Sequence, residues 1–292
     1  MLYRGYDRQG LDAQYFMRAR HPDWENWFKK WKAWSEKVRA ARSVKRDIAF
    51  GPSKDETLDV FYTRYNRSPV HVFIHGGYWQ AMSKDDHSFV ADGLVDAGAA
   101  VVIPNYTLAP EADIDEIVRQ CRAAIAWTWR NAASFGGDPG RIFVSGHSAG
   151  GHLTAMMVST DWPAYAQDLP ADLIKGGCAI SGLFDLEAMR LCYVNDKLKL
   201  TPDQVRRQSP INALPERGAP LIVAVGNDET SEFHRQSDTY AAQWLAKGFT
   251  LQTMRPAGLN HYSIVDAVGN PRHPLTRAML AQMDLPEDPT RT

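Results

Sequence analysis

"RIFVSGHSAGGHL" (141–153) joins an apolar run to a helix-compatible stretch through Gly146-His147-Ser148-Ala149-Gly150. The five residues fit G-x-S-x-G. In that pattern a strand enters a sharp turn, a helix leaves it, and the serine hydroxyl projects from the sheet edge. Small residues at 146, 149 and 150 relieve crowding in the turn. A helix starting near Ala149 adds free N–H groups and a positive dipole end beside Ser148, suited to a developing oxyanion. Ser148 is therefore the candidate nucleophile. The pattern alone is short; the strand before it and the helix after it give it weight.

Outward from this turn, apolar runs alternate with amphipathic ones. Strands are expected at 43–50, 57–63, 70–75, 99–104, 141–146, 176–181, 220–225 and 249–254, and helices at 84–97, 112–134, 149–160, 232–247 and 272–283. The middle and later runs show little polar alternation, as strands covered on both faces do. Such alternation of strand and helix predicts an α/β fold with a mostly parallel eight-stranded sheet flanked by helices. The first two strands alternate more and are expected at an antiparallel edge. Residues 182–219, rich in proline and charge, are read as a small cap insertion within a single domain spanning 1–292.

The first 43 residues are expected to be helical. Trp24, Trp27, Trp31, Trp34 and Val38 fall 3, 4, 3 and 4 apart, on one helix face. Docking onto the domain explains such a stripe, and part of it roofing a pocket is the sharper alternative; a membrane-interface helix is the least favoured.

Composition narrows the classes. The 292 residues are 44% hydrophobic, enough for one large core. With 33 basic and 34 acidic residues the net charge is −1, which gives no sign of a nucleic-acid or membrane partner. Cys121, Cys178 and Cys192 are scattered, without zinc or disulfide spacing, and suit a reducing compartment. No secretory signal or apolar span of about 18 residues is read, so a cytoplasmic protein is expected. Its expected partner is a small-molecule substrate, with a homodimer among the assemblies open to it. No cofactor is expected. No metal site is expected either: His147 and His152 flank the turn without an HExxH pattern or clustered carboxylate.

A serine nucleophile needs a base, and in this topology the chain order is serine, acid, histidine. Three histidines follow the run at 220–225. His234 falls within a helix pattern and His273 between two prolines. His261, in "RPAGLNHYSIV" (255–265), lies just beyond the last strand and is the candidate base. For the acid, "PLIVAVGNDETSEFHRQS" (220–237) offers Asp228 and Glu229 side by side. Either carboxylate can orient an imidazole.

"HGGYW" (75–79), "GHSAGGHL" (146–153) and "SEFHRQS" (231–237) together resemble the kynurenine formamidase (arylformamidase) branch of the α/β-hydrolase fold, which is similar to the hormone-sensitive-lipase-like esterases. "NYTLAPEA" (105–112) and the opening "YDRQGLDAQY" (6–15) extend the resemblance. It implies a metal-independent serine hydrolase cleaving a small amide or ester through an acyl-enzyme, an aryl formamide such as N-formylkynurenine being one candidate. A short-chain carboxylesterase is the alternative within that chemistry; a non-catalytic binding protein is the alternative outside it. The resemblance also implies an oxyanion hole from the amides of Gly77, Tyr78 and Ala149. The rings of Tyr78 and Trp79 are read as an aromatic substrate wall, with core packing of at least one of them the equal alternative, and His75, which precedes the glycines, is read as supporting the loop. The family's G-x-x-D spacing, counted from Gly226, points to Glu229, whereas Asp228 keeps the family's residue type. Asp228 is the marginal preference, and both remain candidates.

Overall fold

The computed structural model describes residues 1–286. Eight strands form one sheet: β1 (Val44–Ala49), β2 (Thr57–Phe61), β3 (Ser68–Ile74), β4 (Ala100–Pro104), β5 (Gly137–His147), β6 (Ile174–Ile180), β7 (Leu221–Ala224) and β8 (Leu251–Met254). Their order is β1-β2-β4-β3-β5-β6-β7-β8. β2 is antiparallel to both its neighbours; from β4 onward every pairing is parallel. Each expected strand is present, its ends shifted by a few residues, and the antiparallel edge lies where the alternating runs placed it. β3 and β4 are buried along their whole length, which is why "SPVHVFI" and "AVVIP" carry almost no polar alternation.

Three helices precede the sheet: α1 (Arg8–Tyr15), α2 (Met17–Arg20) and α3 (Trp24–Ala41). The tryptophan stripe of α3 is the docked face. Trp31 and Val38 are buried, Trp34 stacks on Phe89 at 4.9 Å, and the Trp31 indole N–H donates to Asp266. Gly269 leaves the room that the Trp34 ring fills: a Cβ there would sit 2.6 Å from it.

The expected helix at 84–97 is broken. Two 3₁₀ turns (Lys84–Asp86 and Ser88–Val90) precede α4 (Ala91–Asp96). Ser83 and Asp86 form a capping box on the first turn, while the His87 ring N–H donates to the Ser83 carbonyl; these local bonds compete with a continuous helix. α5 (Ile114–Asn131) is capped by the Asp113 carboxylate and buries Ile114, Ile117, Val118, Cys121 and Ile125, a helical stripe. Then follow α6 (Ala149–Val158) and α7 (Trp162–Tyr165). Residues 182–219 hold α8 (Glu187–Leu191), α9 (Asn195–Leu198), α10 (Pro202–Gln208) and a 3₁₀ turn. The chain continues through α11 (Ser231–Ala246), α12 (Ser263–Gly269) and α13 (Pro274–Gln282). Among the described residues no helix is long and apolar enough to cross a membrane.

Candidate active site

Ser148 stands between β5 and α6 with φ 58° and ψ −117°, a conformation side chains rarely adopt. Close packing around the turn imposes it. A Cβ on Gly146 would lie 2.3 Å from the Gly150 carbonyl oxygen, and one on Gly150 would lie 2.0 Å from that of Ile74. Both obstacles are backbone, so neither position accepts a side chain. The Ser148 amide donates to Ile180 on the adjacent strand at 2.8 Å, which fixes the turn against the sheet.

The Ser148 hydroxyl is 3.1 Å from His261 Nε2, and His261 Nδ1 is 2.7 Å from Glu229 Oε2. With the ring proton on Nδ1, the imidazole donates to the carboxylate and accepts from the serine. His261 is 3% exposed, packed on Phe233 at 4.4 Å and His147 at 4.7 Å. It sits in the loop after β8, held by Asn260, whose side-chain oxygen accepts the amides of Tyr262 and Ser263 and starts α12. That helix was not foreseen; an asparagine that can satisfy the first free N–H groups was its signal.

The preference for Asp228 is corrected by this geometry. A turn closes from the Glu229 amide to the Gly226 carbonyl and aims residue 229 inward. Glu229 Oε1 accepts the Gly226 amide at 2.8 Å and the Ser181 hydroxyl, while Oε2 faces the imidazole. Asp228 points outward, exposed, with a hydrogen bond from Asn227. Gly226 is required, since a Cβ would lie 2.3 Å from the Leu259 carbonyl oxygen.

"HGGYWQ" follows β3 and faces Ser148. Gly77, Tyr78 and Trp79 all have positive φ, at 109°, 50° and 57°. A Cβ on Gly77 would lie 2.1 Å from the Ala81 carbonyl oxygen, and one on Gly76 would lie 2.6 Å from that of His147. Among the described residues the amides of Gly77 and Tyr78 donate to no protein acceptor. Ala149, first residue of α6, has no acceptor within its own helix.

The two aromatics separate. Tyr78 lines the cavity above Ser148, its hydroxyl donating to the Tyr15 carbonyl at 2.7 Å. Trp79 does not: it is fully buried behind the loop, edge-on to His152 at 5.1 Å, so its place as a substrate-binding residue is corrected to core packing. His75 stacks on Tyr106 at 4.2 Å and donates to the Gly76 carbonyl, supporting the loop from beneath. His147 lines the cavity too. Burial first, and the charge of His261 second, push its basicity far below the ordinary histidine range, so it is neutral near pH 7. His152 is engaged with the Gln208 carbonyl at 2.7 Å.

The cavity measures about 240 Å³. Its floor is Ser148 and His261, and its walls come from α2–α3 (Phe28, Trp31), the glycine loop, Tyr193 of the 182–219 segment and Tyr262. Phe28 was missed because it lies beside the tryptophan stripe rather than on it.

The profile described as alpha/beta hydrolase fold matches residues 71–264, and the chain belongs to the α/β-hydrolase family. It is a hydrolytic enzyme of the serine type. It is 32% identical over 256 residues to kynurenine formamidase of Danio rerio, covering 85% of each chain, and lies with it on the kynurenine formamidase-like branch. A carboxylesterase of Mycobacterium tuberculosis is 39% identical over 119 residues, which is 40% of this chain and 37% of that one. A Silicibacter protein assigned provisionally as a thioesterase superposes with a TM-score of 0.81 at 27% identity, over 91% of this chain and 97% of that one.

Proposed function

We propose that this enzyme hydrolyses an aryl formamide of the N-formylkynurenine type, with Ser148, His261 and Glu229 as its catalytic triad. The observation that carries the reading is the unbroken hydrogen-bond chain from Ser148 through His261 to Glu229, on the floor of a small aromatic cavity beside two glycine-loop amides that, among the described residues, have no protein acceptor. The likeness to a kynurenine formamidase supports the acyl group; a formyl group is the smallest the cavity has to accept.

The serine oxygen attacks the formyl carbon as its proton passes to His261 Nε2. Glu229 holds the imidazole in the Nδ1–H tautomer and stabilises the imidazolium. The carbonyl oxygen becomes an oxyanion facing the amides of Gly77, Tyr78 and Ala149, each such donor being worth about 3 kcal/mol in the transition state. The C–N bond then breaks, and the arylamine leaves with the proton from His261. Water, deprotonated by His261, attacks the formyl-serine and releases formate.

The second reading is a short-chain carboxylesterase, favoured by the partial likeness to the mycobacterial enzyme. Comparing kcat/KM on N-formylkynurenine and p-nitrophenyl acetate separates the two. Orders of magnitude in favour of the ester would overturn the formamidase assignment. Labelling by a fluorophosphonate probe that persists in Ser148→Ala would overturn the mechanism itself. The reading includes a cytoplasmic location, supported by three buried free cysteines, and sedimentation of the purified chain distinguishes monomer from homodimer.

A further inference from the structure

Two cations border the cavity without a counter-charge. Arg18 lies on α2 and Lys197 on α9, and both side chains are exposed. Among the described residues neither forms an ion pair. Two of the acids closest to them along the chain are engaged elsewhere. Asp12 binds Arg8 and the Tyr193 amide, and Asp196 turns to Arg8 at 3.7 Å. Asp23 stands at the N-cap position of α3, where its side chain makes no capping hydrogen bond, and among the described residues it forms no ion pair with Arg18. Among the described residues no aspartate or glutamate lines the cavity, and Glu229 is screened behind His261.

Arg18 is nevertheless held in place. Its guanidinium lies over Trp24, 4.2 Å from the ring centroid, and 6.0 Å from that of Phe28. Stacking on an aromatic face leaves the planar N–H fork free to meet a carboxylate edge-on, an arrangement a lysine does not offer. The rest of the wall is largely aromatic, so a ligand charge reaching this rim meets two positive groups and, among the described lining residues, no negative one.

We infer that Arg18, assisted by Lys197, recognises a carboxylate carried by the substrate at a distance from its scissile carbonyl. The preferred substrate class is then an acylated arene with an anionic side chain. The inference rests on the reading of the cavity as the site of acyl transfer and adds the group that selects the substrate. It also assigns a role to the segment before the sheet, which supplies Arg18 and the rings beneath it.

Two matched pairs test it. One is 4-(2-formamidophenyl)-4-oxobutanoate and its primary amide; the other is 4-(2-acetoxyphenyl)butanoate and its primary amide. The wild-type enzyme is expected to favour the acid of each pair at least about tenfold in kcat/KM, mostly through KM, and the advantage should shrink at high salt. Arg18→Gln should remove most of that advantage, and Arg18→Gln with Lys197→Gln the remainder, with rates on the neutral amides kept within about twofold. Equal rates on acid and amide in the wild type, or an equal loss on both in the variants, overturns the inference. If the acetates show the preference and neither formamide is cleaved, carboxylate recognition stands and the formamide reading falls. If the formamides are cleaved without preference, the reverse holds. Where turnover is slow, protection of Ser148 from a fluorophosphonate probe by each compound reads the same selectivity.

Discussion

The hydroxyl of Tyr78 donates to the backbone carbonyl of Tyr15 at 2.7 Å. That carbonyl also receives the Tyr193 hydroxyl at 3.2 Å, so the glycine loop, the helices before the sheet and the 182–219 segment meet at one oxygen. Tyr78 is itself in the left-handed region, and among the described residues its amide has no protein acceptor. Removing the hydroxyl costs one buried hydrogen bond, about 1 kcal/mol. Tyr78→Phe should therefore lower kcat several-fold with KM little changed, while Tyr193→Phe leaves kcat near wild type. Equal changes in both variants would reduce the Tyr78 bond to packing.

Glu229→Gln should lower kcat/KM by about 10⁴, because the amide stabilises the wrong imidazole tautomer and no longer balances the imidazolium. Asp228→Asn should stay within about twofold. Steady-state assays of the two variants side by side decide the acid, and a larger loss in Asp228→Asn would reverse the assignment.

Burial also makes the fold sensitive to acid. His71 and His152 are pushed down to about 4 and His75 to about 3, in each case chiefly by desolvation. Unfolded histidines titrate near 6.5, so the unfolded chain binds protons that the folded one refuses. This contribution to stability is present above about pH 6.5 and is lost as pH falls toward 4, with a slope of up to about 1.4 kcal/mol per pH unit for each such histidine. Urea unfolding at pH 7.5, 6 and 5 should show a falling midpoint; a flat profile across that range would contradict it.

Gly150→Ala places a methyl group 2.0 Å from the Ile74 carbonyl oxygen, in backbone that has little room to retreat. A loss of more than about 3 kcal/mol, or insoluble protein, is expected. Thermal unfolding measures it, and a melting temperature within a few degrees of wild type would show that the turn is looser than its contacts imply.

Much of this was legible from short patterns because each had a single backbone solution. G-x-S-x-G requires the close approach seen between Gly146, Gly150 and Ile74, and His261 lay in the one loop that chain order allowed. The acid shows where residue type misleads. The spacing from Gly226 pointed to Glu229, but side-chain familiarity favoured Asp228; the turn from Gly226 decides by direction, which composition does not carry. Trp79 was misplaced for a related reason. Two neighbours in a left-handed loop send their rings to opposite sides, one to the cavity and one to the core. Lys84 was equally opaque: it opens the stretch expected to be one helix, yet it is buried between Asp59 at 2.8 Å and Asp47 at 2.7 Å, a pairing set by β1 and β2.

The docking of α3 has a temporal consequence. Trp31 and Asp266 hydrogen-bond across 235 positions of sequence, and the cavity that Trp31 lines draws on residues near both ends of that interval. Contacts of such separation form late, after the strands between them have paired. The nucleophile turn can thus assemble before the chamber around it closes, and hydrolytic competence serves as a clock for the completion of folding: a refolding chain should regain its sheet before its reactivity toward a serine-directed probe.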